Sequence, residues 1–225
     1  MALSLYGLKE WLIATIVAAV VVAISIAIGW WWLCIVAGVL WIAVIGFFRD
    51  PLGRTPQTDH PHDLVSPADG RISAIERVTE HPATDGPAVI VRIFLSVLDV
   101  HVNRAPCDLT VDELIYKPGK YLDARSEESA RVNESNLITM TTDSGIRIGV
   151  RQVSGAIARR IVCPLKKGDH LQRAQRFGMI KFGSTTELIL PDEGPDNPTI
   201  HVKRGDRVRG AVTILASLGQ PSKTT

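Results

Sequence analysis

The chain has 225 residues, 46% of them hydrophobic and 21% charged, with a mean hydropathy of +0.15. That is too apolar for one ordinary soluble domain and implies a membrane segment beside a globular part. A net charge of +2, with no Lys/Arg stripe carrying interleaved aromatics, gives no case for nucleic acid as a partner. Cys34, Cys107 and Cys163 are far apart, odd in number and without metal spacing. They read as reduced structural residues in a cytosolic or membrane setting, and no metal is expected.

From Trp11 to Phe48 there is no charged residue. One helix over that stretch would be roughly 57 Å long, whereas the hydrocarbon core is about 30 Å thick. Two shorter helices fit, broken at Gly29 and the cluster Trp30, Trp31 and Trp32, which suits the headgroup level. The sequence predicts a transmembrane or membrane-embedded α-helical hairpin, about Trp11–Ile28 and Leu33–Phe48. A hairpin that dips in without crossing stays open. Lys9 before the run and Arg49 and Arg54 after it place both ends on the cytoplasmic side. The run is too long for a signal peptide and lacks a small-residue cleavage site. It is also apolar on every face, unlike a soluble helix pair.

Pro51, Pro56 and Pro61 then make an extended linker. The organisation expected is a membrane hairpin over 1–48, a linker over 49–63 and a catalytic domain over 64–225. That domain reads as mostly β, a sandwich or barrel-like unit. Arg71–Ile75 follows an Asp-Gly turn, and Ala88–Leu95 is an unbroken apolar, β-branched run. Leu109–Tyr116, Leu137–Thr142, Ile146–Val153 and Ile157–Val162 are further strands. Only Asp123–Arg131 looks helical or irregular, and Ser129–Asn136 reads as a polar loop. Lys167-Gly168-Asp169-His170-Leu171 returns as Arg204-Gly205-Asp206-Arg207-Val208. Such turns resemble those of lipoyl or biotinyl carrier domains, but no Asp-Lys or Met-Lys tip is present to be modified.

Arg176–Leu190 reads as a strand, a tight turn at Gly183-Ser184 and a second strand, with the bland outcome a hairpin. The string Arg-Phe-Gly-Met-Ile-Lys-Phe-Gly-Ser-Thr, however, resembles the processing site of phosphatidylserine decarboxylases in their short bacterial and archaeal form. Phe47-Phe48-Arg49-Asp50-Pro51, Ser66-Pro67-Ala68-Asp69-Gly70, the segment from Phe94 to Pro106, Lys117–Tyr121 and Asn133–Asn136 are also similar to segments of that family. The resemblance spans about Phe47 to Leu218.

Decarboxylating an amino-acid head group needs a carbonyl electron sink that no standard side chain supplies. The sequence offers no pyridoxal site, neither a Gly-rich phosphate loop nor a convincing lysine. The resemblance implies a pyruvoyl group made from Ser184 by self-cleavage between Gly183 and Ser184, giving a β chain (1–183) and an α chain (184–225) held as a heterodimer. It implies Schiff-base decarboxylation of phosphatidylserine to phosphatidylethanolamine at the cell (inner) membrane, with membrane lipid as partner and homo-oligomerisation left open. A serine needs a base, and histidine is the natural one. Of the six histidines only His101 sits at the end of an apolar strand, in Phe94–Pro106, and by position alone a histidine there is more often structural or exposed than a base. The resemblance implies His101, with Asp69 orienting it, as the partners of Ser184. Many members carry a second His where this chain has Arg104, so the base for self-cleavage stays open; Arg104 could hold a phosphate or carboxylate. Two other readings are a membrane-anchored serine hydrolase with an intact Ser184, although the Gly-x-Ser-x-Gly elbow is absent, and a non-catalytic membrane adaptor.

Overall fold

The structure is a computed structural model that describes residues 2–123, 127–155, 160–181, 184–193 and 197–219. The chain divides into two compact units, one ending at Gly53 and the other beginning at Arg54.

In the first unit, β1 (Ala2–Leu3) pairs with β2 (Arg49–Asp50) and so closes the ends of a helical hairpin, α1 (Leu8–Ala27) and α2 (Trp31–Phe47). The two helices turn at Ile28–Trp30, where Gly29 has φ of 75°. Trp31 and Trp32 lie in the first turn of α2 rather than in the connection. Trp41 Nε1 donates to Thr15 Oγ1 at 3.0 Å across the pair. The helical stretch Leu5–Ala27, 23 residues, is long and apolar enough to cross a membrane by length and composition, and only Gly7 and Ser25 in it are buried. The 17 residues of α2 reach about 26 Å, a little short of a bilayer core of about 30 Å.

In the second unit the elements run β3 (Asp63–Val65), β4 (Gly70–His81), β5 (Gly86–Leu95), β6 (Val102–Arg104), β7 (Leu109–Lys117), α3 (Glu127–Val132), β8 (Ser135–Thr142) and β9 (Arg147–Ser154). Then follow β10 (Arg160–Val162), β11 (His170–Leu171), β12 (Arg176–Lys181), β13 (Ser184–Pro191), β14 (Thr199–Ile200), β15 (Arg207–Val208) and β16 (Ile214–Ser217). Among the described residues the largest sheet has eight strands in the order β11-β7-β8-β9-β13-β5-β4-β15, and two three-stranded sheets, β10-β12-β6 and β14-β16-β3, accompany it. This is the β-rich domain expected.

Side-chain alternation builds the core. Val91 and Ile93 of β5, Ile138 and Met140 of β8, Ile148 and Val150 of β9 and Leu188 and Leu190 of β13 are buried together with Leu64, Phe177 and Leu215 from the smaller sheets. The opposite face of β13 carries Glu187 and Ile189, the latter in a small cluster with Ala83, Ala88, Ile90 and Leu137.

The repeated Gly-Asp segments are structurally equivalent. Gly168 N donates to Val111 O at 2.8 Å and Val111 N to Asp169 O at 2.9 Å; Gly205 N donates to Ile72 O at 2.8 Å and Ile72 N to Asp206 O at 2.9 Å. Each glycine has a positive φ, 87° and 95°, which a side chain would disfavour. The resulting two-residue strands, β11 and β15, lie at the two edges of the large sheet. Short edge strands limit edge-to-edge pairing with other chains.

Three expectations need correction. β12 and β13 are not hairpin partners: β12 pairs with β10 and β6, whereas β13 pairs with β5 and β9. The strand ending at Lys181 and the one starting at Ser184 therefore belong to different sheets; 182–183 lie outside the described residues, as does the first residue of the turn expected at Gly183-Ser184. His101 does not end the β5 strand; β5 stops at Leu95, and His101 follows the turn Ser96–Asp99 and leads into β6. Ser129–Asn136 is not a solvated loop. Ser129, Asn133, Glu134, Ser135 and Asn136 are all buried, the last two in β8. The Asn133 side chain makes this burial tolerable, because its amide bonds Leu122 N, Leu122 O and Ser154 O at 2.8 to 2.9 Å. Of the strand expected over Ile157–Val162, Arg160–Val162 is β10 and 157–159 lie outside the described residues, as do 124–126 of the segment expected to be helical.

His81, the last residue of β4, accepts from Ala83 N at 3.1 Å through Nδ1. Burial lowers its pKa, the Arg151 guanidinium lowers it further, and Glu187 opposes them in part. The unfolded chain therefore binds a proton in a pH range where the folded chain does not, so stability falls as pH drops below about 6.5. The urea midpoint should fall on acidification through that range, with a shallower fall in His81→Gln. Equal slopes in the two proteins would exclude His81 as the cause.

Candidate active site

Ser184 is the first residue of β13 and is fully buried. Its backbone lies between Leu95 of β5 and Ser154 of β9. Alternation puts Ser184 on the same face as Thr186, Leu188 and Leu190, toward the core. Its Oγ has no hydrogen-bond partner among the described residues, and neither has the buried Oγ of Ser154 directly opposite. A buried hydroxyl left unbonded costs about 1–3 kcal/mol, and two facing each other mark a place where the fold is not optimised for stability.

A buried amide chain holds this strand from below. Asn103 Nδ2 donates to Thr186 Oγ1 at 3.0 Å, Gln152 Nε2 donates to Asn103 Oδ1 at 2.9 Å, and Asn136 Nδ2 donates to Gln152 Oε1 at 3.2 Å. Asn103 thus ties β6, which follows His101, to β13, two residues beyond Ser184.

His101 is fully buried, and its Nδ1 lies 2.9 Å from the Asp99 carbonyl oxygen. A carbonyl can only accept, so Nδ1 carries a proton and in the neutral ring Nε2 keeps the lone pair. The His101 carbonyl in turn accepts from Ile180 N at 3.3 Å, which sets the histidine against the strand leading to the Gly-Ser pair.

Asp69 does not contact His101. Its carboxylate is bound through both oxygens by Arg54, with Nη2 to Oδ2 at 2.8 Å, and Oδ1 also accepts from Gly210 N at 2.9 Å. The adjoining Pro67 carbonyl accepts from Arg104 N at 3.0 Å and from Asn103 Nδ2 at 3.4 Å. The Asp69 turn is thereby fastened to β6. Buried Arg104 donates to Ala174 O at 3.2 Å. Gly183 lies outside the described residues. The structure thus gathers Ser184 and the His101 segment through β6 and β12, gives the orientation of His101 to a backbone carbonyl, and gives Asp69 a supporting place. Asn103 and Ser154 were not singled out by the sequence; Asp99 stands in the Phe94–Pro106 segment that resembles the family, but its contact is made by a main-chain atom, which carries no residue-type signature.

Among the described residues no group of His, Cys, Asp and Glu could hold a metal ion. The three cysteines are free, and burial pushes the Cys107 thiol up to about 12.

A β-rich domain with a buried serine at a strand start, its Oγ without a hydrogen bond among the described residues, follows an apolar helical hairpin in the chain and defines the class of protein. The particular family follows from comparison: the phosphatidylserine decarboxylase model matches residues 41–216. The chain is 41% identical over 202 residues to the phosphatidylserine decarboxylase proenzyme of Magnetococcus marinus, covering 88% of each chain. It is 45% identical over 172 residues to that of Desulfotalea psychrophila, covering 76% of this chain and 78% of the relative, and 40% identical over 187 residues to that of Carboxydothermus hydrogenoformans, covering 83% and 85%. The chain belongs to the phosphatidylserine decarboxylase family and is a decarboxylase.

Proposed function

We propose that this chain is the precursor of a pyruvoyl-dependent enzyme that converts phosphatidylserine to phosphatidylethanolamine at the membrane surface. The observation that carries the proposal is the buried Ser184 Oγ, without a hydrogen bond among the described residues, immediately after Gly183 in Phe-Gly-Ser-Thr. Such a hydroxyl beside a peptide carbonyl is suited to attack it, because no hydrogen bond to a described residue has to be broken first.

In this reading the Ser184 Oγ–H loses its proton to a base and the oxygen attacks the Gly183 carbonyl carbon. The Gly183–Ser184 C–N bond breaks and an ester replaces it. Loss of the Ser184 Cα proton then breaks the Cβ–O bond, releasing Gly183 as a carboxylate. Addition of one water and departure of ammonia leave a ketone at the head of 184–225, paired with 1–183. Once formed, that ketone supplies a carbonyl that takes up the substrate amine and the electron pair of the broken C–C bond. His101, with Nδ1 held by the Asp99 carbonyl, presents Nε2 for proton transfer. Asp69 acts as a positioning residue, through the turn that fixes β6. The hairpin keeps the domain at a bilayer surface, and Lys9, Arg49 and Arg54 favour the cytoplasmic face of the inner membrane.

An intact mass spectrum of the purified protein tests this directly. Two chains are expected, the smaller beginning at position 184 and lighter than a serine-started chain by the elements of ammonia. A single uncut chain of full mass from an active preparation would overturn the pyruvoyl route and favour a hydrolase with Ser184 intact.

A further inference from the structure

Resting on the reading that the Ser184 site acts on a membrane lipid, we propose that the Ser96–Asp99 turn is a membrane-docking element that dips into an anionic bilayer beside the site. The turn starts at the residue after Leu95, the strand partner of Ser184. Its tip is Val97-Leu98, with Val97 45% and Leu98 81% exposed. Asp99 Oδ2 accepts from Ser96 N at 2.9 Å and from Ser96 Oγ at 2.7 Å, which closes the turn beneath the two aliphatic side chains. The same Asp99 carbonyl holds His101 Nδ1.

An exposed leucine alone is ordinary; its setting is what identifies the surface. The sheet register places Lys117, Ser135, Val153, Thr185, Phe94, Arg71 and Arg207 in one row across the strands. Exposed cations therefore flank the site on both sides, Lys117 on one and Arg71 with Arg207 on the other, and Arg207 Nη2 lies 3.4 Å from Asp99 Oδ1. Tyr116, next to Lys117, is also exposed. Aliphatic tip, tyrosine and a flanking set of cations form the composition of a bilayer interface. At the opposite end of the sheet the turn acids Asp85, Asp143 and Asp192 lie against Arg147, His170 and Arg77. The exposed Lys117, Arg71 and Arg207 at the Ser184 end match an anionic surface there.

The test uses the full chain reconstituted in vesicles of phosphatidylcholine and phosphatidylglycerol. Leu98→Cys carries an environment-sensitive fluorophore in a Cys34→Ala, Cys163→Ala background, where the thiol of buried Cys107 stays unreactive. Spin-labelled lipids should quench this position several times more strongly than the same label at Ser144→Cys, on the opposite end of the sheet. Equal quenching at both positions overturns the proposal. So does a blue-shifted emission that lipid quenchers do not reach, which would mean that a second copy of the chain covers the tip. This measurement needs no activity, so it decides the docking question even if the decarboxylase reading fails. In a processed enzyme, Leu98→Asp should lower turnover of bilayer phosphatidylserine about tenfold, the effect of losing the burial of one leucine. Self-cleavage and turnover of a short-chain, monomeric phosphatidylserine should be unchanged. Unchanged bilayer turnover, or equal loss on both substrates, counts against docking.

Discussion

Ser184→Ala is expected to give one uncut chain of full mass with no decarboxylase activity above background. Alanine removes the oxygen that attacks Gly183 and the Cβ–O bond whose cleavage creates the ketone, so both maturation and catalysis are lost together. The fold should survive. The serine Oγ makes no hydrogen bond among the described residues, so its removal breaks none of theirs, and the change should be neutral or stabilising by about 1 kcal/mol. That combination separates this position from a structural one: a full loss of function accompanied by an unchanged or higher urea midpoint. Ser154→Ala, at the facing position with an equally unbonded hydroxyl, is the control. It should gain comparable stability and still be cut. Activity retained in an uncut Ser184→Ala chain would remove the pyruvoyl group from the mechanism.

The parts of the molecule that were legible in the sequence are those that periodicity and charge determine. The charge-free run gave the helical hairpin, because nothing else satisfies both its length and its all-round apolarity. Unbroken β-branched runs such as Ala88–Leu95 gave strands close to their observed limits, here Gly86–Leu95. Partnership was not legible. An apolar run states that a strand exists and not which strand it joins, so β12 and β13 read as a hairpin although they serve different sheets. Polar composition misled at Asn133–Asn136, since composition cannot tell a solvated amide from one bonded on both its oxygen and its nitrogen. At the site, Ser184 and His101 could be picked out by resemblance. The Asp99 carbonyl could not, because main-chain atoms are present at every position and only the fold selects one. Asp69 was placed on His101 by analogy with a triad, and here Arg54, fifteen residues upstream, occupies its carboxylate.

Glu187→Leu should cost about 3 kcal/mol and lower the urea midpoint by about 1 M or more. Glu187 is three residues beyond Ser184 on the other face of β13, with its side chain 1% exposed. In the sheet register it lies opposite Arg92 of β5 and Arg151 of β9, the two strands that also flank Ser184. Arg92 Nε donates to Glu187 Oε1 at 2.7 Å, and Arg151 Nη1 lies 3.4 Å from Oε2. Burial works against the charge on Arg92, but Glu187 and then Glu76 raise its pKa overall, so it stays charged at any pH the fold survives. Leucine in place of Glu187 sets an apolar side chain between two largely buried guanidinium groups and removes the carboxylate that faces both, while Glu76 stays on Arg92. The triple substitution Glu187→Leu, Arg92→Leu and Arg151→Leu should recover most of the loss, because a buried ionic set can often be replaced by apolar residues at little cost. After cleavage at Gly183–Ser184 the clamp carries a second burden. Residues 184–225 are then held by packing, by β13 between β5 and β9, and by the shorter pairings of β15 with β4 and β16 with β3, and the ion pairs near the new end of β13 resist fraying. Glu187→Leu should therefore be cut normally and yet release the 184–225 chain at a urea concentration well below that needed in the wild type. Co-elution of the two chains across a urea series measures it. Release of the small chain at the wild-type concentration would mean that the ion pairs do not hold this strand, and that the apolar face around Leu188 and Leu190 and the pairings of β15 and β16 retain it without them.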